Sequence, residues 1–236
     1  MMEVIGLPSN NAPLSMVVLI SGRGSNLGAI IQQCQQHRVP AQISTVISNN
    51  PDAPGLHIAQ QAGIATRVIA HREYASRDEY DLVLMEAIDE TAPGLVVMAG
   101  FMRILSANFV RHYASRLINI HPSLLPNLRG LNTHARALAA GVERHGASVH
   151  FVTEDLDAGP IIVQAIVPVL KDDTPESLAQ RVLKQEHRIY PLAISWFAQG
   201  KLQIHGDQVL LDGKQQPEQG LGAAKKKADS PQPLSS

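Results

Sequence analysis

The sequence predicts an α/β protein with a doubly wound, mostly parallel sheet and an antiparallel extension at its C-terminal end. Three observations lead to this prediction. Short, fully apolar runs are typical of buried parallel strands. Amphipathic segments with helical spacing alternate with these runs, and polar loops that contain glycine or proline separate the two kinds of segment. The chain has 236 residues, of which 44% are hydrophobic, so it is long enough for one large domain or two small ones.

The first half of the chain alternates strands and helices. Predicted strands cover residues 16–20, 43–47, 66–69 and 95–99, and predicted helices cover residues 27–37, 55–62 and 78–90. The first helix shows the pattern clearly, because Leu27, Ile30, Ile31 and Cys34 recur at helical spacing on one face. This alternation indicates a parallel sheet whose strands are joined by right-handed helical crossovers.

The pattern changes after Gly100. The next predicted elements are a strand over 117–121, a helix over 133–140, strand-like runs over 147–152 and 161–169, a helix over 174–199 and a hairpin over 202–210. A short loop joins the two strand-like runs, so we expect them to be antiparallel and to extend one edge of the sheet. Pro191 is a candidate kink in the long helix, which Gly200 ends.

The composition argues against several classes of protein. The net charge is −1 at pH 7 with a pI near 6.8, which disfavours bulk nucleic-acid binding. No apolar run is long enough to cross a bilayer, and the first residues lack the basic and apolar regions of a signal peptide. The single cysteine, Cys34, excludes an internal disulfide and fits a reducing cytoplasm. We therefore expect a cytoplasmic protein without nucleic-acid or membrane partners.

The two ends of the chain differ from the rest in composition. Residues 1–15 are rich in Asn, Pro and Ser and are predicted to be a flexible leader. Residues 213–236 are dominated by Gln, Pro, Lys and Ser and are predicted to be a disordered tail. The folded domain is therefore expected to cover residues 16–212.

Residues 21–26, with the sequence Ser-Gly-Arg-Gly-Ser-Asn, connect the first predicted strand to the first helix. Open α/β sheets bind ligands at the carboxyl ends of their strands, and backbone amides at a helix N-terminus attract anions. A phosphate cradle is therefore one interpretation, in which Gly22 and Gly24 allow close backbone approach. The loop lacks the third glycine of a dinucleotide-binding motif, where Leu27 stands, and the lysine of a P-loop. A plain strand-to-helix turn with a polar cap stays open as the alternative.

Asn119 and His121 lie on the fifth predicted strand and should project from the same face, because side chains alternate along a strand. An amide can donate to a developing oxyanion and an imidazole can transfer a proton, so the pair suits acyl transfer. A histidine that only packs at the strand end is the alternative. A carboxylate would complete the set, and a downstream loop offers Glu154, Asp155 and Asp157. The pattern alone does not choose among these three acids.

Several segments, taken together, make the chain similar to the phosphoribosylglycinamide formyltransferases of purine biosynthesis, also called GAR transformylases. The segments are ISGRGSNL (20–27), AGFMRIL (99–105), NIHPSLLP (119–126), GASVHFV (146–152), LDAGPI (156–161), QEH (185–187) and YP (190–191). The similarity extends from about residue 16 to about residue 219, and several motifs in the right order are more specific than any one of them. The fold of this family is Rossmann-like, as the strand and helix pattern predicts.

The resemblance implies a reaction, the transfer of a formyl group from the co-substrate 10-formyltetrahydrofolate to the amino group of glycinamide ribonucleotide. Asn119 would hydrogen-bond the formyl oxygen, and His121 would act as a general acid. Asp157 would favour the charged form of the histidine and help to order a water molecule. The family also implies small-molecule substrates, no metal, and a monomer or a homodimer.

The resemblance implies the binding residues as well. Gly24, Ser25 and Asn26 would hold the phosphate of the ribonucleotide, and Glu186 would contact its ribose hydroxyls. The residues implied for folate binding are Arg77, Met102, Arg103, Ile104, Leu105 and Asn119. The formyltransferase domain would thus cover residues 16–212. Its N-terminal half would bind phosphate, and its C-terminal half would bind folate.

Three features depart from the usual pattern of the family. Arg23 stands where many relatives carry Asn, and could strengthen the attraction for phosphate or point to solvent. Residues 128–131, Leu-Arg-Gly-Leu, replace a loop that is usually richer in aromatic residues, and Ala158 replaces a frequent Gly. None of these changes removes a chemical group that the mechanism needs, so they bear on affinity rather than on reaction type.

Related enzymes on the same fold offer alternative functions. One type formylates initiator methionyl-tRNA, another formylates an amino sugar nucleotide, and a third hydrolyses formyltetrahydrofolate. Each normally carries an additional domain, and we do not expect one within 236 residues. A nucleotide-binding sensor without catalysis is a further alternative, which the complete set of amide, imidazole and carboxylate disfavours.

Overall fold

The computed structural model describes residues 3–4 and 12–214, and within them ten strands form one sheet. The strands are β1 (Glu3–Val4), β2 (Leu14–Ile20), β3 (Ala41–Ser48), β4 (Ala65–Val68), β5 (Leu95–Met98), β6 (Leu117–His121), β7 (Arg144–Phe151), β8 (Ile161–Pro168), β9 (Leu202–His205) and β10 (Gln208–Leu211). The helices are α1 (Ser25–Gln35), α2 (Pro54–Gln61), α3 (Arg77–Asp89), α4 (Ala107–His112), α5 (Thr133–Ala139) and α6 (Pro175–Ala198), and a 3-10 turn covers His71–Glu73.

The strand order across the sheet is β1-β9-β10-β8-β7-β6-β5-β2-β3-β4. Strands β2 to β6 are parallel to one another, whereas β7 pairs antiparallel with both β6 and β8. β9 and β10 form the predicted hairpin. The predicted fold class, a doubly wound and mostly parallel sheet with an antiparallel extension, is therefore confirmed. The chain winds outward from β2 to β4 on one side and from β5 to β6 on the other, which places the topological switch point between β2 and β5.

The central strands are buried on both faces because helices cover both sides of the sheet. On β2, Met16 and Val18 pack into a hydrophobic cluster that includes residues of α1, α2 and α6. Val17 and Leu19 face the other side and pack with residues of α3 and α4. All four side chains are completely buried. Because both faces of the sheet are buried at β2, this run is continuously apolar instead of alternating with polar residues.

The helix α6 fixes the strands that carry the candidate site. Thr174 caps it by accepting a hydrogen bond from a backbone N–H in the first turn, and the helix continues through Pro191. Tyr190 is completely buried, and its hydroxyl lies 2.9 Å from the carbonyl oxygen of Met98 on β5 and 3.2 Å from that of Ile118 on β6. No helix within the described ranges is long and apolar enough to cross a membrane.

The short helix α4 is an element that the sequence analysis did not predict. Ser106 caps it by accepting a hydrogen bond from the backbone N–H of Phe109, at 3.3 Å. Phe109 and Val110 are its buried residues. The helix has six residues, which is too short for an apolar period to repeat, so periodicity could not reveal it.

The predicted flexible leader, residues 1–15, contains strand at four positions. Residues 14–15 belong to β2, and Glu3–Val4 pairs antiparallel with β9 at the edge of the sheet. Strand pairing at these positions depends on a partner that is distant in sequence, which composition does not reveal. Residues 213–214 of the predicted disordered tail lie in the turn after β10. The rest of the leader, and residues 215–236 of the tail, lie outside the described residues.

Candidate active site

Two loops meet at the switch point of the sheet, one after β2 and one after β5. The backbone N–H of Ser21 donates to the carbonyl of Gly100 at 3.2 Å, and the N–H of Met102 donates to the Ser21 hydroxyl at 2.7 Å. The two loops border a cavity of about 750 Å³ that reaches α6 and the end of β6. The structure therefore brings the glycine-rich loop, Met102, Glu186 and the two neighbours of His121 in sequence to one cavity.

Asn119 and His121 project from the same side of β6, as strand alternation predicts. Ile118 and Ile120 turn into the hydrophobic core on the opposite face and are 0% and 7% exposed. His121 is buried and Asn119 is half-buried. Because β6 is hydrogen-bonded to β5 on one side and to β7 on the other, the backbone of both residues is held rigidly.

Asp157 is the acid that reaches the histidine. Its Oδ2 lies 3.4 Å from Nδ1 of His121, and both side chains are 8% exposed. Glu154 is instead paired with Arg111 at 2.9 Å on the surface, and Asp155 is exposed. The backbone at Asp157 has a positive φ of 49°, so the loop turns sharply where this carboxylate enters the site.

The loop after β6 contacts both members of the His121–Asp157 pair. Nε2 of His121 lies 3.0 Å from the carbonyl oxygen of Leu128, and the backbone N–H of Gly130 donates to Oδ2 of Asp157 at 2.9 Å. Leu128 and Gly130 both have positive φ, at 55° and 78°. A carbonyl oxygen and a carboxylate only accept hydrogen bonds, so both contacts of the ring are satisfied together only when the imidazole is doubly protonated.

His150 is a site residue that the sequence reasoning did not single out, although the segment GASVHFV contains it. It pairs directly with Asn119 across β6 and β7, and its Nε2 lies 3.3 Å from Nδ2 of Asn119. Its Nδ1 lies 2.8 Å from the carbonyl oxygen of Phe151, and its Nε2 lies 3.9 Å from Oδ1 of Asp157. Burial lowers the pKa of His150, so the ring is neutral, donates through Nδ1 and accepts the amide of Asn119 at Nε2.

A second histidine pair lies beside the cavity. His134 lines the cavity, and its Nδ1 is 3.2 Å from Nε2 of the buried His145. Burial lowers the pKa of His145 to about 4 and also lowers the pKa of His134. Both rings are therefore neutral at physiological pH, and they bring no positive charge to the cavity.

The glycine-rich loop leads directly into α1, with Gly24 at the N-cap position. Gly24 has a positive φ of 74°, and a Cβ at this position would lie 2.5 Å from Cα of Gly55 at the start of α2. The N–H of Gly55 donates in turn to the carbonyl of Gly22, at 3.0 Å. Only glycine fits this contact, and the free backbone amides of the first turn of α1 face a possible anion site.

Glu186 and Asn26 form a buried pair at the inner end of the cavity. Both residues are 8% exposed, and Nδ2 of Asn26 donates to Oε2 of Glu186 at 2.7 Å. Burial raises the pKa of the Glu186 carboxyl, and the bond from Asn26 opposes that effect. Oδ1 of Asn26 is buried without a hydrogen-bond partner among the described residues. The pair therefore offers acceptors for hydroxyl groups of a ligand.

The residues implied for folate binding differ in exposure, and only some of them line the cavity. Met102 is 72% exposed and lines the cavity, and Ile104 is 56% exposed, whereas Leu105 is buried. The guanidinium of Arg103 stacks on a neighbouring tyrosine ring at 4.5 Å, and its Nε is buried without a partner among the described residues. Arg77 is exposed at the start of α3 and is not among the residues that line the cavity.

Within residues 3–4 and 12–214, no group of three or more His, Cys, Asp or Glu side chains has the geometry to hold a metal ion. The histidines near the site are engaged with each other, with Asp157 or with backbone carbonyls. The described part of the site presents an amide, an imidazole, a carboxylate and backbone amides.

Comparison with known proteins identifies relatives with this arrangement of elements. The family model described as formyl transferase matches residues 14–194. The phosphoribosylglycinamide formyltransferase of Escherichia coli K12 is 54% identical over 210 residues, which cover 89% of this chain and 99% of the relative.

Solved structures agree with the sequence comparison. The phosphoribosylglycinamide formyltransferase of Coxiella burnetii is 54% identical, with a TM-score of 0.84, over 89% of this chain and 99% of the other. The formyltetrahydrofolate deformylase of Burkholderia mallei is 27% identical, with a TM-score of 0.78, over 85% of this chain and 70% of the other. The family model covers most of the chain and the similarity to the E. coli enzyme spans nearly its full length, so the chain belongs to the formyl transferase family.

Proposed function

We propose that this protein transfers a formyl group from 10-formyltetrahydrofolate to the amino group of glycinamide ribonucleotide in purine biosynthesis. The products are formylglycinamide ribonucleotide and tetrahydrofolate. The observation that carries the proposal is the His121–Asp157 pair at 3.4 Å, at the end of the strand that also carries Asn119. Ile120 and Pro122, the sequence neighbours of His121, line a cavity whose other walls suit a phosphorylated ribosyl compound.

The ribonucleotide fits the cavity in one orientation. The backbone amides after Gly24 and the hydroxyl of Ser25 would bind its phosphate, because a helix N-terminus favours an anion. Glu186, with Asn26 beside it, would accept hydrogen bonds from the ribose hydroxyls. The amino end of the substrate would then point past Ile120 and Pro122 toward His121.

The chemistry follows from the three side chains. The amine nitrogen attacks the formyl carbon, and the tetrahedral intermediate carries an oxyanion. Asn119 has two N–H donors, of which one faces His150, so the other can donate to this oxyanion. The bond between the formyl carbon and N10 of folate then breaks. N10 gains a proton from His121, and the amine loses one to a water molecule that Asp157 helps to order.

Asp157 holds the imidazole in position for this proton transfer. Its carboxylate oxygen Oδ2 lies 3.4 Å from Nδ1, so it limits the orientation of the ring. Nε2 faces the carbonyl of Leu128 in this structure, so proton donation to the folate requires that this N–H be released from the loop or shared with the substrate. The loop after β6 is thereby linked to the catalytic step.

The folate would occupy the side of the site formed by Met102, Arg103, Ile104 and Leu105. The exposed side chains of Met102 and Ile104 offer apolar surface for a pterin ring, and backbone groups of this segment would bind its edge. A contact from Arg77 stays part of the proposal, although this side chain is exposed at the start of α3.

The domain division and cellular setting are also proposed. Residues 16–212 would form the formyltransferase domain, with the phosphate bound by its N-terminal half and folate by its C-terminal half. A cytoplasmic location fits the single cysteine and the place of the relatives in purine biosynthesis. The partners would be small molecules only, with no metal, nucleic acid or membrane, and the protein would act as a monomer or homodimer.

The main competing function is hydrolysis of formyltetrahydrofolate, because a deformylase has the same fold. Transfer is favoured because the phosphate loop and Glu186 line the cavity next to His121, and hydrolysis needs neither. The test is a comparison of folate product formation, followed by absorbance, with and without glycinamide ribonucleotide, while formate is measured separately. We expect product only when the ribonucleotide is present. Equal product and formate in its absence would contradict the proposal.

A variant separates catalysis from ligand sensing. His121→Ala should lose turnover at least about a hundredfold, because a positioned general acid contributes that much or more. It should still bind glycinamide ribonucleotide in a calorimetric titration. The matched control is His205→Ala, since His205 is exposed on β9, and this variant should keep full activity. Unchanged turnover in His121→Ala would favour a sensor over an enzyme.

A further inference from the structure

Arg23 carries the only positive charge among the described residues that line the cavity. The acidic groups of the lining are Glu176 and Glu186, and His134 is neutral because burial lowers its pKa. Arg23 is exposed and forms no hydrogen bond or ion pair with any residue in 12–214. A guanidinium at the cavity border with no partner in the fold is available for a ligand.

The backbone on both sides of Arg23 is anchored, so the side chain starts from a fixed point. On one side, the carbonyl of Gly22 accepts the N–H of Gly55 at 3.0 Å. On the other side, Gly24 packs too closely against Gly55 for any side chain to fit. The side chain of Arg23 therefore leaves a rigid loop directly beside the first turn of α1, where backbone amides are free to bind an anion.

A second observation indicates that the cavity binds a ligand of mixed character. Asn26 is 8% exposed, lines the cavity and has a buried Oδ1 without a partner. With Glu186, it supplies acceptors for hydroxyl groups at the inner end. The amides and Arg23 supply donors and positive charge at the other end. A phosphorylated sugar matches this order of hydroxyls and anion.

We infer that Arg23 pairs with the phosphate of the ribonucleotide and makes the enzyme selective for a charged phosphate ester over the uncharged ribosyl compound. The inference rests on the proposed function. The guanidinium can contact a phosphate oxygen through a charge-assisted bond and adds a full positive charge to the hydrogen bonds from the backbone amides. It also offsets the negative charge of Glu176, whose pKa is lowered by hydrogen bonds from its own backbone N–H and from Thr174.

The test compares Arg23→Gln with Arg38→Gln, a matched loss of charge at an exposed arginine whose side chain forms no hydrogen bond or ion pair with the described residues. We expect Arg23→Gln to raise the KM for glycinamide ribonucleotide about tenfold, with kcat and the KM for folate nearly unchanged. Added salt should weaken the wild type more than the variant, because screening acts on the lost charge pair. Arg38→Gln should resemble the wild type in each measurement.

Two further variants sharpen the result. Arg23→Lys should be intermediate, because a lysine keeps the charge but not the forked geometry. Glu176→Gln should lower the KM for the ribonucleotide, because it removes a repelling charge from the same cavity. A direct reading comes from calorimetric titration with ribose 5-phosphate, whose Kd should rise about tenfold in Arg23→Gln.

The inference would be overturned by a KM and a ribose 5-phosphate Kd within twofold of wild type in Arg23→Gln. An equal effect of Arg38→Gln would also overturn it, because a general change in net charge would then explain the result. These outcomes are separable from failure of the proposed function. If the wild type shows no formyl transfer, the proposed function fails, whereas titration with ribose 5-phosphate still tests Arg23.

Discussion

Replacing Asp157 by Asn removes the negative charge beside His121 and leaves the shape of the side chain almost unchanged. The amide oxygen of the variant can still accept the hydrogen bond from the backbone N–H of Gly130, which the wild-type Oδ2 accepts at 2.9 Å. The amide nitrogen can face Nε2 of the neutral His150, now 3.9 Å from the carboxylate. The variant therefore isolates the effect of charge from the effect of packing.

The expected loss of activity follows from the distance between the Asp157 carboxylate and the His121 ring. Oδ2 lies 3.4 Å from Nδ1 of His121, and each side chain is 8% exposed, so solvent screens the pair only weakly. At an effective dielectric constant of about 20, two unit charges at this distance attract by about 5 kcal/mol before the cost of burying them is subtracted. General acid–base catalysis contributes about 10²- to 10⁴-fold, equivalent to about 3–5 kcal/mol. We therefore expect kcat/KM of Asp157→Asn to fall about 10³-fold, mainly through kcat.

The assay is initial-rate formation of folate product at saturating ribonucleotide and folate, with the unfolding temperature measured for each protein. The matched control is Asp155→Asn, which makes the same chemical change at an exposed acid of the same loop. This control should keep wild-type kcat. If Asp157→Asn stayed within threefold of wild type, or if both variants lost activity equally, charge coupling between Asp157 and His121 would be refuted.

The remaining predictions concern stability. Burial raises the pKa of Glu186 above its usual 4.5, so its contribution to stability is present at low pH and is lost as the pH rises through the raised pKa. Glu186→Gln, which can keep the bond from Asn26, should therefore gain unfolding free energy relative to wild type between about pH 4 and pH 7 in urea titrations; no gain would argue against a buried, costly charge. In Gly146→Ala, the new Cβ would lie 1.9 Å from the carbonyl oxygen of Ala165, so we expect a loss of about 1–3 kcal/mol or more by denaturant unfolding. Its control is Gly28→Ala, inside α1, where the new Cβ would make only an ordinary contact with Ile58 at 3.9 Å, and this variant should instead gain about 0.5–1 kcal/mol. A neutral Gly146→Ala would show that the strands can separate without cost.

Local patterns predicted the secondary structure of the central sheet well. The apolar runs of β2, β3 and β5 and the stripes of α1 and α3 depend on which side chains a single segment buries, and this information lies within the segment. The helix α4 was not predicted, because its six residues are too few to repeat an apolar period. The strand Glu3–Val4 was not predicted, because its partner strand β9 lies at the other end of the chain.

In the candidate site, too, local features could be predicted from the sequence and long-range contacts could not. The shared face of Asn119 and His121 was readable from the sequence, because alternation along a strand is a local property. The choice of Asp157 over Glu154 and Asp155 could not be derived from the pattern. Three acids in one loop look alike until the turn of that loop aims one of them into the sheet, and the family resemblance supplied the choice that the 3.4 Å distance agrees with.

The contacts of the histidine depended on the tertiary structure throughout. The carbonyl of Leu128 at Nε2, the bond from Gly130 to Asp157 and the neutral His150 beside Asn119 all join residues that only the packing of the strands and loops brings together. The sequence therefore specified which chemical groups the protein has and on which strand face they stand. Their distances, their protonation and the charge balance of the cavity around Arg23 arise from long-range packing, because burial and Coulomb interactions depend on neighbours in space and not on neighbours in the chain.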